Sequence, residues 1–191
     1  QCINEDLLQS EKRCFDKYKE YAYSRDWKRF KLPKYNEDMF YMSIGRHLGL
    51  DCRLLDWSAR LETALFFASS ETKHKEENGS LWIMCYKDDI NDFSASFDPF
   101  NIDKVTIIKE SYLLVDNQDI YDLPLGNLRQ YSQNGFFTLN PSSSLTTPIN
   151  ELNVENTEFK SFIITPKGKE DIMRNLMNYK QKIHLYKSEL E

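Results

Sequence analysis

The stretch "CRLLDWS", residues 52–58, sets Leu54 and Leu55 between Arg53 and Asp56, then follows at once with Trp57 and Ser58. If the leucines are buried, both flanking charges lie near low dielectric, where an unpaired charge is costly, so pairing is expected. Two arrangements satisfy that. Arg53 and Asp56 can pair with each other and fix the approach to the next helix. Alternatively, Asp56 orients Arg53, whose planar fork of five donors then grips a phosphate or carboxylate. Trp57 divides the same way, as a core plug or as a stacking wall for a base or a cation. The Ser58 hydroxyl can cap a helix that starts after it, and the first amides of that helix would point at the same anion.

Helical patterns flank the stretch. Upstream, Phe40, Ile44, His47 and Leu48 recur at helical spacing over residues 37–48, and Gly49 supplies a left-handed end. Downstream, Leu61, Ala64, Leu65 and Ala68 mark the buried face of a third helix, with Phe66 and Phe67 widening it. An N-terminal helix is expected over residues 4–23, with Leu8, Phe15, Tyr18 and Ala22 on one face, widened by Leu7, Cys14 and Tyr21. A basic, aromatic connector joins it to the rest. From residue 78 the period changes. Strands are expected at 78–86, 105–109, 112–116, 136–141 and 161–166, and a polar loop at 141–158. A last helix from about Lys169, with Ile172, Met173 and Leu176 inward, leads to an edge strand at 182–186. Helices first and strands later predict an α+β fold, with N-terminal helices packed on a mixed, mostly antiparallel sheet.

The totals bound the chemistry. At 191 residues with 40% hydrophobic content, the chain suits one compact domain, with two small ones also within range. A net charge of −5 argues against a general duplex-binding surface and leaves room for a local basic groove. No apolar run approaches the ~18 residues of a membrane span. Cys2, Cys14, Cys52 and Cys85 show no pairing frame, so they read as reduced thiols of a cytoplasmic protein. The three histidines and four cysteines have no metal-ligand spacing, and no glycine-rich phosphate loop is present. A His47–Cys52 nucleophile and base would need a third, orienting group that the sequence does not show. The chain begins with Gln1, which fits a trimmed chain or part of a longer polypeptide. A second polar cluster, "NLRQYSQNGFF" (127–137), offers Asn127, Arg129 and Gln133 as directional hydrogen-bonding groups, with Gly135 permitting close backbone approach.

The segment "GRHLGLDCRLLDWSARLETALFFA" (45–68) resembles the signature of the FRG domain, on His47, Gly49, Arg53, Leu54, Leu55, Asp56, Trp57 and Ala64. "NGSLWIM", then "NLRQYSQNGFFT" with Arg129, Gln133, Gly135 and Phe137, then "FIITPKGKEDIMRNLMNYKQKIHLY" are similar to its later segments. The resemblance spans residues 37–187 and implies a single FRG-like domain over 1–191, with residues 1–24 a helix leading into it. Departures are Arg46 for the usual glutamine, Asp51-Cys52 for Pro-Thr, and Leu61 for a proline. The [FY]-R-G motif that names the family is expected upstream of residue 1. The family's members look like effector or accessory domains of bacterial defence and toxin systems. Their plan is similar to that of ADP-ribosyltransferase-like folds, which makes NAD the cofactor to test. The resemblance implies two functions. One is an effector that binds and modifies a nucleotide-like anion, with His47, Arg53 and Asp56 catalytic and Trp57, Ser58, Arg129 and Gln133 binding the ligand. The other is a non-catalytic sensor or interaction module of a larger defence protein, with a ligand or protein partner.

Overall fold

The computed structural model describes residues 2–24, 36–87, 97–109 and 135–180. They form an α+β fold that clusters into two compact units, residues 1–57 with 89–155 and residues 58–88 with 156–191. The expected strands at 112–116 and 182–186 lie outside the described residues, as does the connector before residue 36.

The first unit is built on two helices and a sheet. Helix α1 spans Cys2–Ser24. Its inward stripe is Leu8, Glu11, Phe15, Tyr18 and Ala22, at alternating spacings of three and four. Leu7, Cys14 and Tyr21, expected to widen that face, are exposed, because positions seven apart on the adjoining row point to water. Helix α2, Glu37–His47, starts where the Asn36 side chain accepts from the Met39 amide at 2.9 Å. It is buried on all sides from Met39 to Gly45. Its end is a reversed turn. Gly49 sits at φ +92, its amide donates to the Arg46 carbonyl, and the Leu50 amide donates to the Gly45 carbonyl. At Gly45 an added Cβ would meet Leu50 Cδ2 at 2.8 Å and Tyr18 Cε1 at 3.0 Å, so glycine permits this close approach.

Residues 54–58, expected as a connection between helices, form strand β1 (Leu54–Ser58). This changes the opening premise, since strand side chains alternate. Leu54 is buried and Leu55 is exposed. In this unit β4 (Gly135–Leu139) lies between β1 and β3 (Thr106–Lys109), antiparallel to β3 with Ile108 opposite Phe137 and Thr106 opposite Leu139. Phe15, Ala22, Met39 to Met42, Ile44, Leu54, Phe100, Ile108, Phe137 and Leu139 make one continuous core.

The second unit holds helix α3 (Leu61–Ser70), strands β2 (Gly79–Tyr86) and β5 (Thr157–Ile164), and helix α4 (Pro166–Lys180). The strands form a separate antiparallel ribbon, Gly79 opposite Ile164 and Tyr86 opposite Thr157. A single sheet was expected, and the described strands make two. Helix α4 starts three residues before its expected position. Thr165 accepts from the Gly168 amide at 3.1 Å, and Pro166 occupies the first helical position, where its missing N–H costs nothing. Ile172, Met173 and Leu176 are half-buried. On α3, Thr63 and Ser69 are the buried residues, while Leu61 faces solvent. Lys169 is buried, its Nζ donating to the His74 carbonyl at 2.8 Å.

Candidate functional site

The charges around Leu54 do not pair with each other. Arg53 Nε donates to Glu11 Oε2 at 2.7 Å, and the Arg53 backbone amide donates to Glu11 Oε1 at 2.7 Å. Both oxygens of one carboxylate on α1 are therefore held by one residue at the edge of β1. The terminal nitrogens of Arg53 donate to the carbonyls of Asn140 (2.8 Å) and Pro99 (2.5 Å). These acceptors are themselves fixed. Asn140 donates through Nδ2 to the Thr147 carbonyl at 2.9 Å, and Ser142 ties its loop to residues 100 and 102 through Oγ and backbone bonds. The Arg53 and Glu11 side chains are 6% and 8% exposed. A buried ion pair contributes little unless its remaining donors are satisfied, and here carbonyls satisfy them. Arg53 thus joins α1, β1, the turn at 98–102 and the end of β4. The expectation that Asp56 partners or orients Arg53 is corrected: Glu11 does so, because strand geometry sends Asp56 elsewhere.

Asp56 instead accepts from Arg46 Nε through Oδ2 at 2.9 Å. The two side chains are 46% and 35% exposed. Arg46 lies in the last turn of α2, where a cation also complements the helix dipole. His47 follows it, exposed, with its ring edge-on to Phe137 at 5.9 Å between centroids. The structure therefore brings Asp56 to the helix end that carries His47, and leaves Arg53 in the interior. Cys52 is largely buried, and that burial pushes its thiol up to about 11, so the thiolate is scarce at neutral pH. A protonated thiol gives the His47–Cys52 nucleophile no support.

Trp57 alternates to the opposite face of β1 from Asp56. Its Nε1 donates to Thr138 Oγ1 at 3.0 Å, and Thr138 is buried. Ser58 does not cap α3. Its Oγ accepts from the Arg60 amide at 3.1 Å, two residues on, and the cap position, Arg60, makes no side-chain cap bond. Arg129 and Gln133 lie outside the described residues. Among the described residues, no cluster of three or more His, Cys, Asp or Glu side chains has the arrangement of a metal site, and no helix is long and apolar enough to cross a membrane.

Two residues that pair with the signature charges were not assigned that role from the sequence. Glu11 had a signal: it occupies a position of the apolar stripe on α1, and an acid there needs a buried partner. Arg46 had one too: it stands where the resembling family has glutamine, a change of charge beside His47. No curated protein and no solved structure matches the chain. The FRG domain model matches residues 2–77, a stretch that runs from α1 through the Arg53 clamp and the Arg46–Asp56 pair to the end of α3 and the turn beyond it. Over that stretch the chain is similar to the FRG domain, and the match covers less than half of its length.

Proposed function

We propose that this chain is a recognition module of a bacterial defence or effector system, binding a nucleotide-like anionic ligand without turnover at the surface where the end of α2 meets β1. The observation that carries the reading is the division of labour inside residues 45–58. Arg53, the strongest anion grip in the signature, has protein acceptors on all three of its side-chain nitrogens, while Asp56 and His47 meet solvent. Catalysis on the expected plan needs Arg53 against the ligand and Asp56 behind it. Neither role fits these hydrogen bonds. The defence setting rests on the family likeness, the cytoplasmic location on cysteines without a pairing frame, and a protein partner or further chain belongs to the same reading.

Calorimetric titration of the full chain with ADP-ribose and with NAD tests it, with the NAD content followed by chromatography. Saturable heat with an unchanged NAD peak is the expected result. A falling NAD peak would replace recognition with ADP-ribosyl transfer. No heat with either compound would end the nucleotide reading.

A further inference from the structure

We propose that Arg46 is the anion grip of this surface, and that the ligand it takes is a phosphorylated sugar, with the phosphate on Arg46 and a sugar hydroxyl on Asp56. The inference rests on the recognition reading above and names its ligand class.

A guanidinium has two usable edges, one through Nε and one across the two terminal nitrogens. Asp56 takes the first edge of Arg46, through Nε alone. Among the described residues nothing accepts from the terminal nitrogens of Arg46, and the side chain is about one-third exposed. That open edge is a planar, parallel pair of donors, the geometry that phosphate and carboxylate oxygens fit. Arg53 has the same fork, but with acceptors already in place on each nitrogen.

Asp56 narrows the ligand. It orients Arg46 and also cancels its charge, so a bare polyanion gains little here. Among the described residues nothing donates to its second oxygen, Oδ1, which lies on the same carboxylate as the Arg46 bond. The pair thus presents donors and an acceptor side by side. A molecule that matches both carries an anionic oxygen group and a hydroxyl a few bonds away, as a phosphorylated sugar does. A carboxylate accepting from a sugar hydroxyl is an established recognition mode.

The pair stands on rigid supports. Arg46 is held by the reversed turn at Gly49, and Asp56 lies two residues beyond buried Leu54 and three beyond the Arg53 clamp. Preorganised side chains on regular elements lose little freedom on binding.

The test is calorimetry on the full chain with ADP-ribose, adenosine and inorganic phosphate as probes. The native chain should bind ADP-ribose, and adenosine and inorganic phosphate each much more weakly. Arg46→Gln should weaken ADP-ribose roughly tenfold or more, the usual consequence of losing a charge-assisted hydrogen bond. Arg46→Lys should not restore it, because an ammonium has no fork. Asp56→Asn should weaken it by a smaller factor, through looser positioning. Circular dichroism melting of each variant establishes that the fold is kept. ADP-ribose bound equally by the native chain and a folded Arg46→Gln overturns the grip and leaves the recognition reading standing. Inorganic phosphate bound as tightly as ADP-ribose overturns the sugar. No binding by the native chain overturns both readings.

Discussion

The two units solve the problem of burial differently. In the first, α1 and α2 accompany a three-stranded sheet, and the continuous hydrophobic core of the described residues lies there. In the second, two helices accompany a two-stranded ribbon, where Ile164 is the buried hydrophobic residue among those described. Leu61, Phe67, Trp82, Phe162, Ile163 and Met177 stay exposed in that unit. A two-stranded ribbon alone is marginal in water. Stability is therefore concentrated in the unit that holds Arg53, and the clamp sits where the most apolar area depends on it.

That contrast can be broken by mutation. The largest effect is expected from Arg53→Ala. It strands the Glu11 carboxylate in the interior and should cost about 3–5 kcal/mol in urea unfolding. A folded protein with unchanged stability would remove the clamp from the account. Leu139→Ala should follow, at about 2–5 kcal/mol, since it opens a void under the central strand. Gly49→Ala should cost about 1 kcal/mol, because φ +92 is a conformation that alanine resists. In the second unit, Ile163→Thr should change stability by less than about 0.5 kcal/mol, since the side chain is 75% exposed. Hydrogen exchange sharpens the same contrast. The amides between β3 and β4 should exchange more slowly than those between β2 and β5. The reverse order would mean that the ribbon, not the three-stranded sheet, is the stable centre.

Local signals were legible in the sequence. The α1 stripe, the start of α2 near residue 37, the left-handed Gly49 and the strands near 79–86, 106–109, 135–139 and 157–164 follow from periodicity and turn chemistry over a few neighbours. What was not legible depends on residues far apart. Glu11 and Arg53 are 42 positions apart, so a reading of nearby residues paired Arg53 with Asp56, three positions away. Leu55 looked buried because a short apolar pair does not reveal whether it is helix, strand or loop. Once the stretch is a strand, alternation turns Leu55 outward and separates Asp56 from Trp57. Ser58 failed as a cap for the same reason: β1 runs through it, so the helix starts only at Leu61. The pairing of Asp56 moved from Arg53 to Arg46, seven positions earlier, and only three-dimensional pairing could show that.

The clamp at Arg53 has a consequence for how this chain is made and cut. Two of its acceptors, the carbonyls of Pro99 and Asn140, lie beyond residue 77, where the family match stops. A ribosome adding about 5–20 residues per second completes the matched segment seconds before the last acceptor exists. Until then, Arg53 has Glu11 alone, and water or a chaperone must keep its other donors. A fragment trimmed to residues 2–77 would stay in that half-made state. The borders of the recognisable sequence and the borders of the folding unit are different here, and an expression clone has to follow the second.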